Sequence, residues 1–85
     1  MIKIKYDEIN NKSIAYDDEK KIGECVYEDN DKLWNIIHTE VNSSYQGQGI
    51  AKKLVECIIE NAKKENKKLT ASCSYAKIVL ERLNK

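Results

Sequence analysis

The apolar residues of this chain repeat with one period before Asn42-Ser43-Ser44 and with another after it. Upstream, Ile2, Ile4 and Tyr6 alternate with Lys3 and Lys5, the period-two pattern of a strand with one buried face. Downstream, Ile50, Ala51, Leu54, Val55, Ile58, Ile59 and Ala62 recur every three or four positions, with Lys52, Lys53, Glu56, Glu60, Lys63 and Lys64 on the opposite face. That is the stripe of an amphipathic helix. A strand-rich first half must therefore join a helix-rich second half through this one polar break.

The other elements follow from the same two periods. Asp7 to Lys12 predicts a turn, Ser13 to Tyr16 a short second strand and Lys21 to Glu28 a longer third one. Asp29-Asn30-Asp31-Lys32 predicts a hairpin turn, since Asn and Asp tolerate left-handed backbone. Leu33 to Val41 is β-branched and aromatic with apolar side chains on both faces, as expected of a strand covered on both sides. The long helix should end near Asn66, with Lys63 and Lys64 at its negative end. Leu69-Thr70-Ala71 predicts a fifth strand, and Ala76, Val79, Leu80 and Leu83 a final helix. In the order β-β-β-β-α-β-α the long helix is a crossover, so strands four and five should be parallel and the earlier ones, joined by turns, antiparallel. The expectation is an α+β fold: a mixed, mostly antiparallel sheet of about five strands with two helices. At 85 residues this is a single domain spanning 1–85.

Composition narrows the partners. Fifteen basic and fourteen acidic side chains are interspersed, with no dense basic cluster to attract nucleic acid or an anionic membrane. No apolar run approaches the roughly twenty residues of a membrane span, and the alternating N-terminus is unlike a secretory signal, so the expected location is the cytoplasm. Cys25, Cys57 and Cys73 are odd in number and widely spaced, which is no disulfide framework, and with one histidine no metal site is expected. Oligomeric state is not legible.

In a sheet of this kind a ligand binds beyond the carboxyl ends of the strands at a switch point, here the loops after Val41 and after Ala71. The first loop carries Gln46-Gly47-Gln48-Gly49-Ile50-Ala51 at a helix start, where backbone N–H groups lack intrahelical partners. Gly47 and Gly49 remove side chains that would keep an anion away, and the helix dipole favours phosphate. A diphosphate would fit. Two glycines that only permit a tight turn are the alternative.

Gln46, Gly49 and Ala51 fill the defined positions of Q/R-x-x-G-x-G/A, and the segment resembles the acyl-coenzyme A signature of the GNAT superfamily of N-acetyltransferases. More closely, His38-Thr39-Glu40-Val41, Tyr45 to Val55 and Cys73-Ser74-Tyr75 resemble a family of very small GNAT proteins. The resemblance covers nearly the whole chain. It implies an acetyl-coenzyme A (acetyl-CoA) dependent N-acetyltransferase acting on a small-molecule or protein amine, with Val41, Gln46, Gly47, Gln48, Gly49, Ile50, Ala51, Lys52 and Tyr75 on the cofactor. Departures are Ser72 where relatives often have Pro, the ending Leu83-Asn84-Lys85 in place of a His-Pro-Glu-aromatic element, and strand connections too short for the two N-terminal helices of full-size members.

Cys73 lies where the fifth strand gives way to the last helix, a position that stabilises a thiolate. By resemblance it is the catalytic residue of the family, able to take an acetyl group before passing it to an amine. The alternative is a small apolar filler. Cys25 and Cys57 are expected in the core, as is Trp34, and Tyr45 over the glycine loop; Tyr75 lines either the cofactor groove or the core. His38 and Glu40, two apart on a strand, share a face, and either could serve as the base, directly or through water, unless both are structural. Three functions stay open: acetyl transfer, coenzyme A (CoA) binding without efficient transfer, and protein interaction through an exposed sheet face.

Overall fold

A computed structural model describes residues 1–83, with only the backbone of Leu83. The apolar position expected at Leu83, and the terminal Asn84 and Lys85, thus lie outside the described side chains. Strands β1 (Ile2–Asp7), β2 (Lys12–Asp17), β3 (Lys20–Asn30) and β4 (Leu33–Val41) precede helix α1 (Ile50–Lys64), strand β5 (Lys68–Ala71) and helix α2 (Ser74–Leu83). The five strands form one sheet in sequence order; β1 to β4 pair antiparallel, and β4 pairs parallel with β5. Element order and strand directions agree with the periodicity.

Short polar residues shape the connections. Asn11, Asp18 and Asp31 take the left-handed conformation at the three strand turns, which Asn and Asp adopt more readily than other side chains. Strand β3 runs through Asn30, so the turn expected from Asp29 to Lys32 tightens to Asp31-Lys32, helped by the Asp31 N–H donating to Asp29 Oδ1 at 3.0 Å. Helix α1 ends on left-handed Asn66: the Lys67 N–H reaches the Ala62 carbonyl at 2.8 Å and the Asn66 N–H that of Lys63 at 3.1 Å. These two bonds satisfy carbonyls that the last turn leaves free.

The core is one-sided. Ile50, Leu54, Val55, Ile58 and Ala62 of α1 and Ala76 and Val79 of α2 are buried in one cluster with Cys25, Tyr27, Trp34 and Ile36 of the sheet. Each large aliphatic so buried contributes about 1.5–3 kcal/mol. Trp34 stacks on Tyr27 with centroids 4.2 Å apart, Tyr27 and Tyr6 share a hydrogen bond of 2.7 Å between hydroxyls, and the buried Ser13 hydroxyl donates to the Leu54 carbonyl at 2.8 Å.

The expectation that β4 is covered on both sides is overturned. Tyr27 pairs with Ile36 and Val26 with His38, so Ile37 is an extra residue in β4, a bulge. Inward positions are Trp34 and Ile36 before it and Thr39 and Val41 after it. The double-sided pattern records this switch of parity, and Leu33 and Ile37 stand exposed on the other face. Both helices pack on the same face, and among the described residues no helix covers the opposite one. No described helix is long and apolar enough to cross a membrane.

Candidate active site

The chain between β4 and α1 is held at both ends. Asn42 Oδ1 accepts the Ser44 N–H at 2.9 Å and the Asn42 carbonyl accepts the Tyr45 N–H at 2.9 Å, closing a single turn of 3₁₀ helix over Ser43–Tyr45. The Tyr45 hydroxyl donates to Asp17 Oδ2 at 2.6 Å, tying this turn to the end of β2. That bond, and then the Met1 amino group at 3.1 Å, hold the Asp17 carboxyl below the usual carboxylate range. Tyr45 is thus a strut beside the glycine loop as well as a cover for it.

Gly47 and Gly49 have φ of 84° and 75°, and a Cβ on either would meet nothing within 4 Å. Handedness of the backbone, not crowding, demands glycine there. Gly49 caps α1 without a side-chain hydrogen bond, and its carbonyl receives the first intrahelical bond from the Lys53 N–H at 3.2 Å. The N–H groups of Ile50, Ala51 and Lys52 therefore have no intrahelical acceptor. A cavity of about 310 Å3 opens over this loop. It brings together seven of the nine residues expected at the cofactor, Val41, Gln46, Gly47, Gly49, Ile50, Ala51 and Tyr75, with Tyr45 in the wall. Tyr75 belongs to the groove, not the core. Gln48 is exposed outside this lining, and Lys52 faces a neighbouring cavity along α2.

Beyond the loop the sheet splits. Pairing of β4 with β5 stops at Ile36 and Ala71, and the N–H groups of Ser72 and Cys73 both converge on the Ile36 carbonyl, at 2.9 and 3.1 Å. The Ile37 bulge follows at once, leaving β4 from Ile37 to Val41 without a strand on that side among the described residues. Cys73 sits at the mouth of the split as the residue preceding α2, its carbonyl taking the Lys77 N–H at 3.0 Å. Partial burial alone would raise its thiol pKa, but the Ala76 N–H, the Thr39 hydroxyl and the Tyr75 N–H reach the sulfur and bring the net value below the ordinary thiol range. A Ser, Thr or Asp cap uses the same geometry. Cys73 Sγ lies 3.6 Å from Thr39 Oγ1, and that hydroxyl donates to Cys25 Sγ at 3.5 Å.

The other thiols differ. Burial pushes Cys25 up to about 11 and also raises Cys57. Cys25 is fully buried, as expected. Cys57 is a correction: it lies at the rim of the core, facing a surface cavity with Ile4, Lys53, Glu56 and Glu60, because the flank of the stripe turns past the β1 edge.

His38 and Glu40 occupy the opposite face of β4 from Thr39 and Cys73. Their side chains, both exposed, meet at 3.5 Å between Nε2 and Oε2. Glu24 of β3, paired with Glu40 of β4, brings its carboxylate within 4.8 Å of both. It also accepts Lys21 Nζ at 2.6 Å and Lys12 Nζ at 3.4 Å, and Lys21 above all holds its carboxyl below the usual range. An adjoining hollow of about 210 Å3 is walled by Lys21, Gly23, Glu24, Glu40 and Asn42. Glu24 and Thr39 carry no distinctive sequence signal as site residues, since the bulged register alone decides what they face.

The profile of the GCN5-related N-acetyl-transferase family matches residues 12–85. Among solved structures the chain is similar to a GCN5-like N-acetyltransferase candidate from Staphylococcus aureus, with a TM-score of 0.74 and 40% identity, covering 96% of this chain and 80% of that one. It is also similar to a chain of the NatC complex bound to Gag peptide and CoA (TM-score 0.68, 29% identity, 85% of this chain and 55% of that one). A GNAT family acetyltransferase from Elizabethkingia anophelis with acetyl-CoA bound shares the fold (TM-score 0.68, 24% identity, 86% of this chain and 51% of that one). The chain spans about half of each of these last two. No curated protein matches the sequence.

Proposed function

The chain belongs to the GCN5-related N-acetyltransferase family, and from that membership we propose that it moves the acetyl group of acetyl-CoA to an amine, with Cys73 at the thioester and His38 and Glu40 at the amine. One observation carries the reading: α1 begins with N–H groups that have no intrahelical acceptor, behind two left-handed glycines that front an open cavity, beside the edge of β4 that is unpaired from Ile37 among the described residues. Amides so placed suit a diphosphate, and a free strand edge suits the two amides of a pantetheine arm. The CoA bound to the NatC complex supports the same ligand.

Cys73 supplies the nucleophile. Its thiolate attacks the thioester carbonyl, the carbon–sulfur bond to CoA breaks, and CoA departs as a thiolate. In the second half the amine nitrogen forms a bond to the acetyl carbon and the bond to Cys73 Sγ breaks. His38, steadied by Glu40, takes the proton the amine must lose, and Cys73 is again a thiolate ready for reprotonation. Support for the first half is the lowered thiol pKa at the split of the sheet; support for the second is that His38, Glu40 and Glu24 gather on the face an acceptor can approach. A cytoplasmic setting belongs to this reading, supported by three free thiols. The bare sheet face favours a second reading, CoA binding coupled to docking of a protein acceptor there.

Isothermal titration with CoA tests the central claim. Wild type should bind, and Gly49→Asp, which sets bulk and negative charge against a diphosphate, should weaken binding tenfold or more, because one charge-assisted hydrogen bond is worth about 1.5–3 kcal/mol. Equal affinity in a folded Gly49→Asp protein removes the proposal. Thiol release from acetyl-CoA across a panel of amines separates transfer from binding alone.

A further inference from the structure

The bare face of the sheet brings an imidazole and two carboxylates to one point. His38 and Glu40, two apart on β4, project from the same face, and strand pairing sets Glu24 of β3 against Glu40. One donor atom from each of the three side chains lies within 4.8 Å of the others. His38 Nε2 and Glu40 Oε2 are already 3.5 Å apart. Two donors on a tetrahedral ion with bonds of about 2.0–2.2 Å stand ~3.3–3.6 Å from each other, so this pair needs almost no adjustment to share one. Glu24 is the most enclosed of the three, and Lys21 and Lys12 both bond its Oε1. Such bonds orient a carboxylate ligand, which has a second oxygen to offer. The hollow of about 210 Å3 beside Glu24 and Glu40 admits water to complete a coordination shell.

We propose that Glu24, His38 and Glu40 form a binding site for a divalent transition metal of the zinc class. An imidazole with carboxylates suits such an ion, whereas magnesium and calcium take oxygen ligands and gain nothing from the imidazole. One histidine in the chain argues against a metal site by spacing alone, but the third donor arrives through strand pairing, which spacing does not show. The two lysine ammonium groups at Glu24 offset part of the site's negative charge, so the ion should exchange with solvent and not be held permanently. The site lies on the opposite face of β4 from Cys73 and stands without the proposed use of CoA. Its consequence does rest on that reading: metal and amine proton compete for one lone pair on His38 Nε2, so occupancy opposes the proton transfer proposed for His38.

A single histidine makes the test specific. The imidazole ring protons of the full, untagged chain are followed by NMR while free Zn2+ is raised in a chelator buffer at one neutral pH. They should move and saturate with one midpoint, and zinc taken up by thiols elsewhere should leave them in place. Glu24→Gln and Glu40→Gln keep His38 and nearly the same shape, and each should raise the midpoint by about tenfold or more, since removing even an outer partner of a metal ligand costs that much. Mg2+ at the same concentrations should not move the ring. Amide spectra show whether each variant is folded; Glu40 is exposed, so Glu40→Gln keeps the test decisive should Glu24→Gln unfold with its lysine pairs lost. Ring protons unmoved in a large excess of Zn2+, or a midpoint unchanged in either folded variant, overturn the inference and leave the proposed function standing. Movement with Mg2+ equal to that with Zn2+ overturns the metal class. Zinc binding in a wild type that fails to bind CoA overturns the proposed function and leaves the site.

Discussion

Cys73 is the only one of three thiols whose surroundings favour the thiolate. Alkylation consumes thiolate, so each thiol's rate rises with pH through its own pKa. Cys73 lies below the ordinary value, Cys57 above it and Cys25 near 11. Iodoacetamide should therefore label Cys73 with a midpoint at lower pH than either of the others, read site by site by mass spectrometry. Thr39→Val removes the hydroxyl 3.6 Å from Cys73 Sγ, a contact that lowers that thiol's pKa, and should move that midpoint upward. Acetyl-CoA without amine should leave an acetyl group on Cys73, labile to hydroxylamine and absent in Cys73→Ala. A Cys73 midpoint at or above that of Cys57 would return the residue to a packing role. The position of Cys73 at a helix start was legible from the apolar stripe that follows it. Its partner Thr39 was not, because a residue's facing within β4 depends on a bulge that no local pattern marks.

At the level of elements, β4 is where sequence and register part company. Its boundaries, and those of α1, followed from period and polar breaks, and the left-handed turns followed from Asn and Asp. Bulges arise from pairing with a distant strand, so Ile37 looked like evidence for a second covering layer when it was the kink that separates β4 from β5. Gly23 shows the same blind spot. It is unremarked within an alternating strand, yet a Cβ there would lie 2.7 Å from the Glu40 carbonyl oxygen. Since the obstacle is backbone, β3 and β4 would have to move apart beside Val41, where β4 enters the cofactor loop. Gly23→Ala should cost about 1–3 kcal/mol, the range for forcing atoms into a filled space. Urea denaturation gives the loss, and a midpoint unchanged from wild type would show that the strands adjust freely at this point.

Taken whole, the molecule is a sheet with candidate reactive groups on both sides of one strand. The helical side carries the glycine loop, Cys73 and Thr39; the bare side carries His38, Glu40 and Glu24. The short gaps between the first strands leave no room for helices, but the apolar residues on both faces of β4 pointed to a second covering layer, so the bareness of that side was not legible. Nor was its gathering of three titratable groups, because Glu24 joins them only through cross-strand pairing with Glu40. The division makes the two proposed halves of the reaction separable by mutation. His38→Gln retains a polar side chain of similar reach but cannot take up a proton, so it should lower transfer to an amine by roughly 10² to 10⁴. CoA affinity should hold, because His38 faces away from the cradle. Acetylation of Cys73 in the absence of amine should also persist at the wild-type rate, since the first half needs only the thiolate. Single-turnover measurements of acetyl-Cys73 formation and of its decay on adding amine read the two steps apart: slow decay with normal formation places the proton transfer at His38, whereas equal slowing of both makes the histidine structural and leaves Glu24 and Glu40 as the bases on that face.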